Sequence, residues 1–152
     1  MAAQELEKQE PNETKDCTVI TLDSSAVFAL LNRSDPDHRR VKSALEKDRG
    51  PYLLPAASLG EIAYLIEERL GHDVMDLFLA DLVSGAYSVD CGEAELPRSR
   101  ELANKYADLP LGFTDAAVAA CAEANGKRVL TLDIRDFSIV GKEIGLTILP
   151  TK

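Results

Sequence analysis

Two pentapeptides near opposite ends of the chain are almost identical: Val19-Ile20-Thr21-Leu22-Asp23 and Val129-Leu130-Thr131-Leu132-Asp133. Each is a short, β-branched, apolar run, the pattern of a parallel strand buried on both faces. Each also ends on an acid. Parallel strands need helical crossovers, so helices must alternate with strands and the fold class is α/β. In open α/β sheets ligands bind beyond the carboxyl ends of the strands, where the connections diverge. As neighbouring strands about 4.8 Å apart, the two runs would let Asp23 and Asp133 share one cation.

The remaining punctuation fits that scheme. Residues 17–22 (CTVITL) form the first strand, and Ser24 and Ser25 are N-cap residues for a helix through the apolar stretch 26–31, closed by Asn32. A second helix is expected over 37–47 and a short strand over 52–54. Leu59, Ile62, Ala63, Ile66 and Leu70 then recur at helical spacing, with Gly71 as the stop signal. Further helices are expected over 74–83, 99–107 and 114–125, with strands over 87–90, 128–132 and 146–149. No element is assigned between 132 and 146.

Two more acids join the strand-end pair. Asp115 opens a helix whose next seven residues (AAVAACA) are uncharged and mostly small, so that helix packs closely against the sheet and holds the carboxylate rigidly at its edge. Glu61 lies early in the helix after the second strand, one residue off its apolar face. Clustered carboxylates repel one another, and a hard divalent cation relieves the repulsion, with Mg²⁺ or Mn²⁺ the natural occupant. Taken singly each acid has a plainer reading: Asp23 as a helix cap, Asp115 as a dipole partner, Asp133 in a turn, Glu61 as solvated surface.

Composition narrows the alternatives. A chain of 152 residues fits one domain, here 17–152, preceded by an acidic tail over 1–16 expected to be disordered. The net charge of −9 argues at first against nucleic acid, which is bound mainly through Lys and Arg. Arg33, His38, Arg39, Arg40 and Lys42 form the densest basic stretch, either a solvated helix or a place where Arg33, Arg39 and Arg40 contact RNA phosphates. Cys17, Cys91 and Cys121 are odd in number and widely spaced, so they read as buried thiols rather than a disulfide framework. With His38 and His72 the only histidines, any metal must be held by oxygen. No apolar run reaches the roughly twenty residues that span a bilayer, and no signal-peptide core is visible, so no membrane role and a cytoplasmic location are expected.

The order Leu22-Asp23-Ser24-Ser25-Ala26, then Pro55 with Glu61 six residues on, then Thr114-Asp115-Ala116-Ala117, then Leu130-Thr131-Leu132-Asp133 followed by Asp136-Phe137 resembles the PIN-domain family. Within it the likeness is to VapC-type toxin ribonucleases of type II toxin–antitoxin systems, over about residues 18–150. The resemblance implies a three-layer α/β sandwich with a central parallel five-stranded sheet flanked by helices. It also implies a Mg²⁺- or Mn²⁺-dependent RNA endonuclease, a homodimer, and a cognate antitoxin protein covering the active-site groove. Carried over by position, Asp23, Glu61, Asp115 and Asp133 match the catalytic acids, with the metal expected on Asp23, Asp115 and Asp133. Thr131 matches a hydroxyl position beside the site, or is simply a strand threonine. Asp136 matches the acid of the closing Asp-Phe pair, as an outer contributor or a structural cap. A catalytically inactive PIN-like module that binds RNA or a protein is the alternative reading.

Overall fold

The computed structural model describes residues 19–109 and 111–150. The acidic tail and Cys17 lie outside the described residues. The elements run β1 (Ile20–Leu22), α1 (Ser24–Leu31), α2 (His38–Lys47), β2 (Tyr52–Pro55), α3 (Leu59–Arg69), α4 (His72–Ser84), β3 (Ser88–Asp90), α5 (Leu96–Lys105), α6 (Phe113–Ala124), β4 (Arg128–Leu130), α7 (Ile134–Ile144) and β5 (Thr147–Leu149). Single 3₁₀ turns precede α3 and α5. The five strands form one all-parallel sheet in the order β3-β2-β1-β4-β5.

Burial on both faces of the sheet explains the uninterrupted apolar runs. Ile20 and Leu22 of β1, Leu54 of β2, Leu130 of β4 and Leu149 of β5 pack with Ala26, Val27 and Ala29 of α1, Val41 of α2, Ile62 and Ile66 of α3, and Met75 and Phe78 of α4. Val129 of β4, one residue out of phase with Leu130, joins instead the cluster of Leu102 from α5, Ala116, Val118, Ala119, Ala120 and Ala122 from α6, and Phe137, Val140 and Ile144 from α7. Successive strand side chains thus enter opposite layers. Helices α1–α4 cover one face and α5–α7 the other, the three-layer sandwich expected.

Helix α7 is where the sequence expectation fell short. Phe137, Val140 and Ile144 recur at i, i+3 and i+7 and are all buried, and Gly145 supplies the left-handed residue (φ 75°) that ends the helix. That spacing is present in the sequence, within the stretch to which the sequence reading assigns no element. The second correction concerns the cysteines. Cys91, just after β3, and Cys121, on α6, are joined in a disulfide with Cα atoms 5.6 Å apart, instead of standing as separate buried thiols. They are 30 residues apart in sequence, and only the packing of α6 beside the end of β3 brings them together.

Helix α6 lies deepest. Every residue from Ala116 to Ala122 is buried, and five of the seven are alanines, so the helix sits close to the sheet with no space for a larger side chain. Ala119→Leu is therefore expected to lower stability by about 1–3 kcal/mol through overpacking, read as a lower urea midpoint with unchanged slope.

Candidate active site

The chain runs from β1 outward through β2 to β3, then returns to the other side of β1 to form β4 and β5. The connections therefore diverge between β1 and β4, and the crevice beyond those two strand ends is where an open α/β sheet places its ligand. The register there is not the one that aligns the twin pentapeptides. Thr21 pairs with Val129 and Leu22 with Leu130, and the Asp23 amide donates to the Leu130 carbonyl at 2.9 Å. Asp23 therefore stands level with Thr131, and Asp133 projects two residues farther. Strand neighbourhood alone does not set the two acids side by side.

Asp23 is 2% exposed. Its Oδ2 accepts hydrogen bonds from the Ser25 hydroxyl at 2.7 Å and the Thr131 hydroxyl at 2.8 Å. Its Oδ1 is buried without a hydrogen-bond partner. A buried carboxylate oxygen left bare costs free energy unless something cationic or protic meets it.

Beyond β4 the chain turns directly into α7, with Asp133 at the N-cap position and Asp136 in the first turn. The i, i+3 spacing puts both acids on one side of the helix start. Asp115, in the first turn of α6, faces them: one carboxylate oxygen from each of Asp115, Asp133 and Asp136 lies within 4.8 Å of the other two. The tight group thus contains Asp136 in place of Asp23, which the sequence expectation had joined with Asp115 and Asp133. Recognising α7 would have revealed it.

Electrostatics tie the remaining acids to this group. Burial, and then the charges of Asp23, Asp133, Glu61 and Asp136 in decreasing order, push the Asp115 carboxyl up to about 7. Asp133 is also raised, first by burial and then by Asp136. Glu61 is solvent-exposed in the first turn of α3, so it borders the cluster without joining its tight group. A like-charged set that carries this cost in the folded state is a set of hard oxygen donors, and together with the bare Asp23 Oδ1 it suits a divalent cation.

The basic stretch is arranged differently. Arg33 is exposed just beyond the carboxyl end of α1, whose opposite end adjoins Asp23, so a helix of about 12 Å separates it from the cluster. Arg39 is exposed on α2, and Arg40 pairs with Asp37 at 3.2 Å.

Residues 20–143 match the family model described as PIN domain. The chain belongs to the PIN-domain family. It is 31% identical over 136 residues to Ribonuclease VapC26 of Mycobacterium tuberculosis, a match covering 86% of this chain and all of that protein. The crystal structure of Mycobacterium tuberculosis VapC20, a toxin described as cleaving the sarcin–ricin loop, superposes with a TM-score of 0.71 at 26% identity, covering 80% of this chain and 95% of that one. VapBC2 from Rickettsia felis, solved with a DNA fragment from its promoter, gives a TM-score of 0.64 at 16% identity over 88% and 99% of the two chains, and shares the fold.

The raised Asp115 carboxyl has a measurable consequence for this PIN domain. Between the ordinary 3.8 and the folded value of about 7 the native state binds more protons than the unfolded chain, so stability falls as pH rises through that window. Asp115→Asn, which imitates the protonated form, is expected to raise the melting temperature above wild type at pH 8 in EDTA and to change it little at pH 4. A lower melting temperature at pH 8 would contradict the proposed repulsion.

Proposed function

We propose that this PIN domain is a divalent-cation-dependent endoribonuclease, the toxin of a toxin–antitoxin pair. The observation that carries the proposal is the convergence of Asp115, Asp133 and Asp136 within 4.8 Å at the strand-end crevice, in a chain related over its domain to a curated ribonuclease. Asp115, Asp133, Asp136 and the free oxygen of Asp23 are the groups that would hold the cation, Mg²⁺ or Mn²⁺ by their all-oxygen chemistry. When bound, such an ion supplies neutralisation of phosphoryl charge and a water of lowered pKa.

The protein's own part is to concentrate negative charge in a fixed place. Asp115 is held by α6, a buried helix that does not shift without disturbing the core, and Asp133 and Asp136 by the first turn of α7, anchored through buried Phe137. Glu61, at the exposed margin, would orient water or accept a proton from it as the new P–O bond forms, one P–O ester bond breaks and the leaving oxygen takes a proton from solvent. A site of this kind needs no histidine or serine nucleophile. The four acids Asp23, Glu61, Asp115 and Asp133 remain the proposed catalytic set, with Asp136 added to the cation site.

An antitoxin partner and a homodimer are part of the same proposal, resting on the VapC relationship. The apolar side chains Tyr64 of α3 and Leu77 and Val83 of α4 are exposed at 63%, 64% and 89% and offer surface for a partner to cover.

Purified protein free of any antitoxin is expected to cleave structured RNA in Mg²⁺ or Mn²⁺ and to stop in EDTA. Asp115→Asn and Asp133→Asn should each lose more than the roughly 10–100-fold that removing an outer hydrogen-bond partner costs at a metal site. Cleavage that persists in EDTA, or an Asp115→Asn variant of wild-type activity, would sink the mechanism. Binding of RNA without cleavage in either metal would favour the inactive binding module instead. Mn²⁺ at a hundred times its dissociation constant should also stabilise the fold by about 2.7 kcal/mol through linkage, seen as a rise in melting temperature at pH 7.5.

A further inference from the structure

We infer that Ser25 is a positioning residue that helps fix the spacing of Asp23 and Asp133 across the β1–β4 seam and reserves one oxygen of Asp23 for the cation. The inference rests on the cation-site reading above.

Ser25 is the second residue of α1, inside the helix rather than at its cap, and its hydroxyl serves the β1–β4 seam. The N-cap position of α1 is Asp23, with no side-chain capping bond. The Ser25 Oγ donates to Asp23 Oδ2 at 2.7 Å and accepts the Leu132 amide at 3.0 Å. Thr131 mirrors it: its Oγ1 donates to the same Oδ2 at 2.8 Å and accepts the Asp133 amide at 2.9 Å. Each hydroxyl owns one proton, and both protons go to Oδ2. The 3.3 Å approach of the two hydroxyl oxygens is therefore a contact between acceptors occupied by amides.

Two consequences follow. First, Oδ2 is saturated by two donors while Oδ1 has none, so the carboxylate has a fixed orientation and its bare oxygen is set aside for a ligand. Second, the ladder to β5 ends with the Thr131 amide on the Leu149 carbonyl, and the next two amides, of Leu132 and Asp133, are held by the two hydroxyls instead. Those amides belong to the segment that carries Asp133 into the cluster. Thr131 holds the Asp133 amide from within β4's own extension. Ser25 reaches Leu132 from the first turn of α1, just beyond β1 and 107 residues away in sequence, and so transmits the position of Asp23 to the segment that carries Asp133. Because the strand register offsets the two acids by two residues, this bond works beside the Thr131 bridge from Asp23 to the Asp133 amide, and the two together fix the spacing of the acids across the seam.

The full chain carrying Ser25→Ala, with Ser25→Thr as the conservative comparison, tests this. Alanine suits a helix, so folding should be kept. In EDTA, Ser25→Ala is expected to keep a cooperative thermal transition, with the melting temperature lowered only by the two hydrogen bonds removed. It is also expected to keep the protection of the Leu22 amide while the Leu132 amide exchanges at least tenfold faster by NMR. Its Mn²⁺ affinity, measured by electron paramagnetic resonance, should fall by about 10–100-fold. Ser25→Thr should restore both. Wild-type exchange at Leu132 in Ser25→Ala overturns the registering role, and wild-type Mn²⁺ affinity overturns the positioning of the cation site. If the unsubstituted protein itself binds no Mn²⁺, the cation reading falls and with it the reservation of Oδ1, and Leu132 protection alone then decides the registering role.

Discussion

Pairing of β1 with β4 determines where every acid of the site stands. It places Asp23 level with Thr131 rather than with Asp133, and it locates the divergence of chain connections at that seam. From there the geometry is forced: β4 ends, the backbone is handed to hydroxyls instead of a ladder, and α7 begins with Asp133 and Asp136 a helical step apart. Asp115 reaches the same place from the neighbouring helix of the same layer, because α6, lined with alanines, lies against the sheet beside α7. A slip of the β1–β4 register would reverse the burial of β4 and undo the core before it rearranged the site.

The site is held against its own electrostatics. Burial and four neighbouring negative charges raise Asp115 to about 7, so the folded protein keeps carboxylates where an apolar core would be more stable. That local conflict is tolerated because the two hydrophobic layers around it are consistent in pattern and packing. A conflict of this kind is the physical ground on which the carboxylate group is proposed as the cation site. The overall charge of −9 takes on a different meaning in this light, since part of it is the site itself.

Most of the architecture was legible in the sequence. The apolar strand runs, the helical recurrence of Leu59, Ile62 and Ile66, and the alanine-rich α6 each announced their element, with boundaries within a few residues. Asp115 and the strand-end acids were legible for the same reason, being attached to elements with strong local patterns. Helix α7 was not legible because its apolar spacing follows a strand with almost no connecting loop, so Asp136 was read only as an outer contributor or cap and not as a neighbour of Asp115. The disulfide between Cys91 and Cys121 was missed because nothing local relates the end of β3 to the middle of α6.

The sequence by itself determined the alternation of strand and helix, the two-sided burial of the sheet and the presence of acids at strand ends, because those depend on periodicity and on residues close in the chain. Only the tertiary structure decided the two-residue offset between the twin pentapeptides, the grouping of Asp115 with Asp133 and Asp136, the remoteness of Arg33, and the use of the Ser25 hydroxyl on Asp23 and Leu132. Register and cross-seam hydrogen bonds join residues about a hundred positions apart, and they are fixed by how whole layers pack rather than by any stretch of chain that can be read alone.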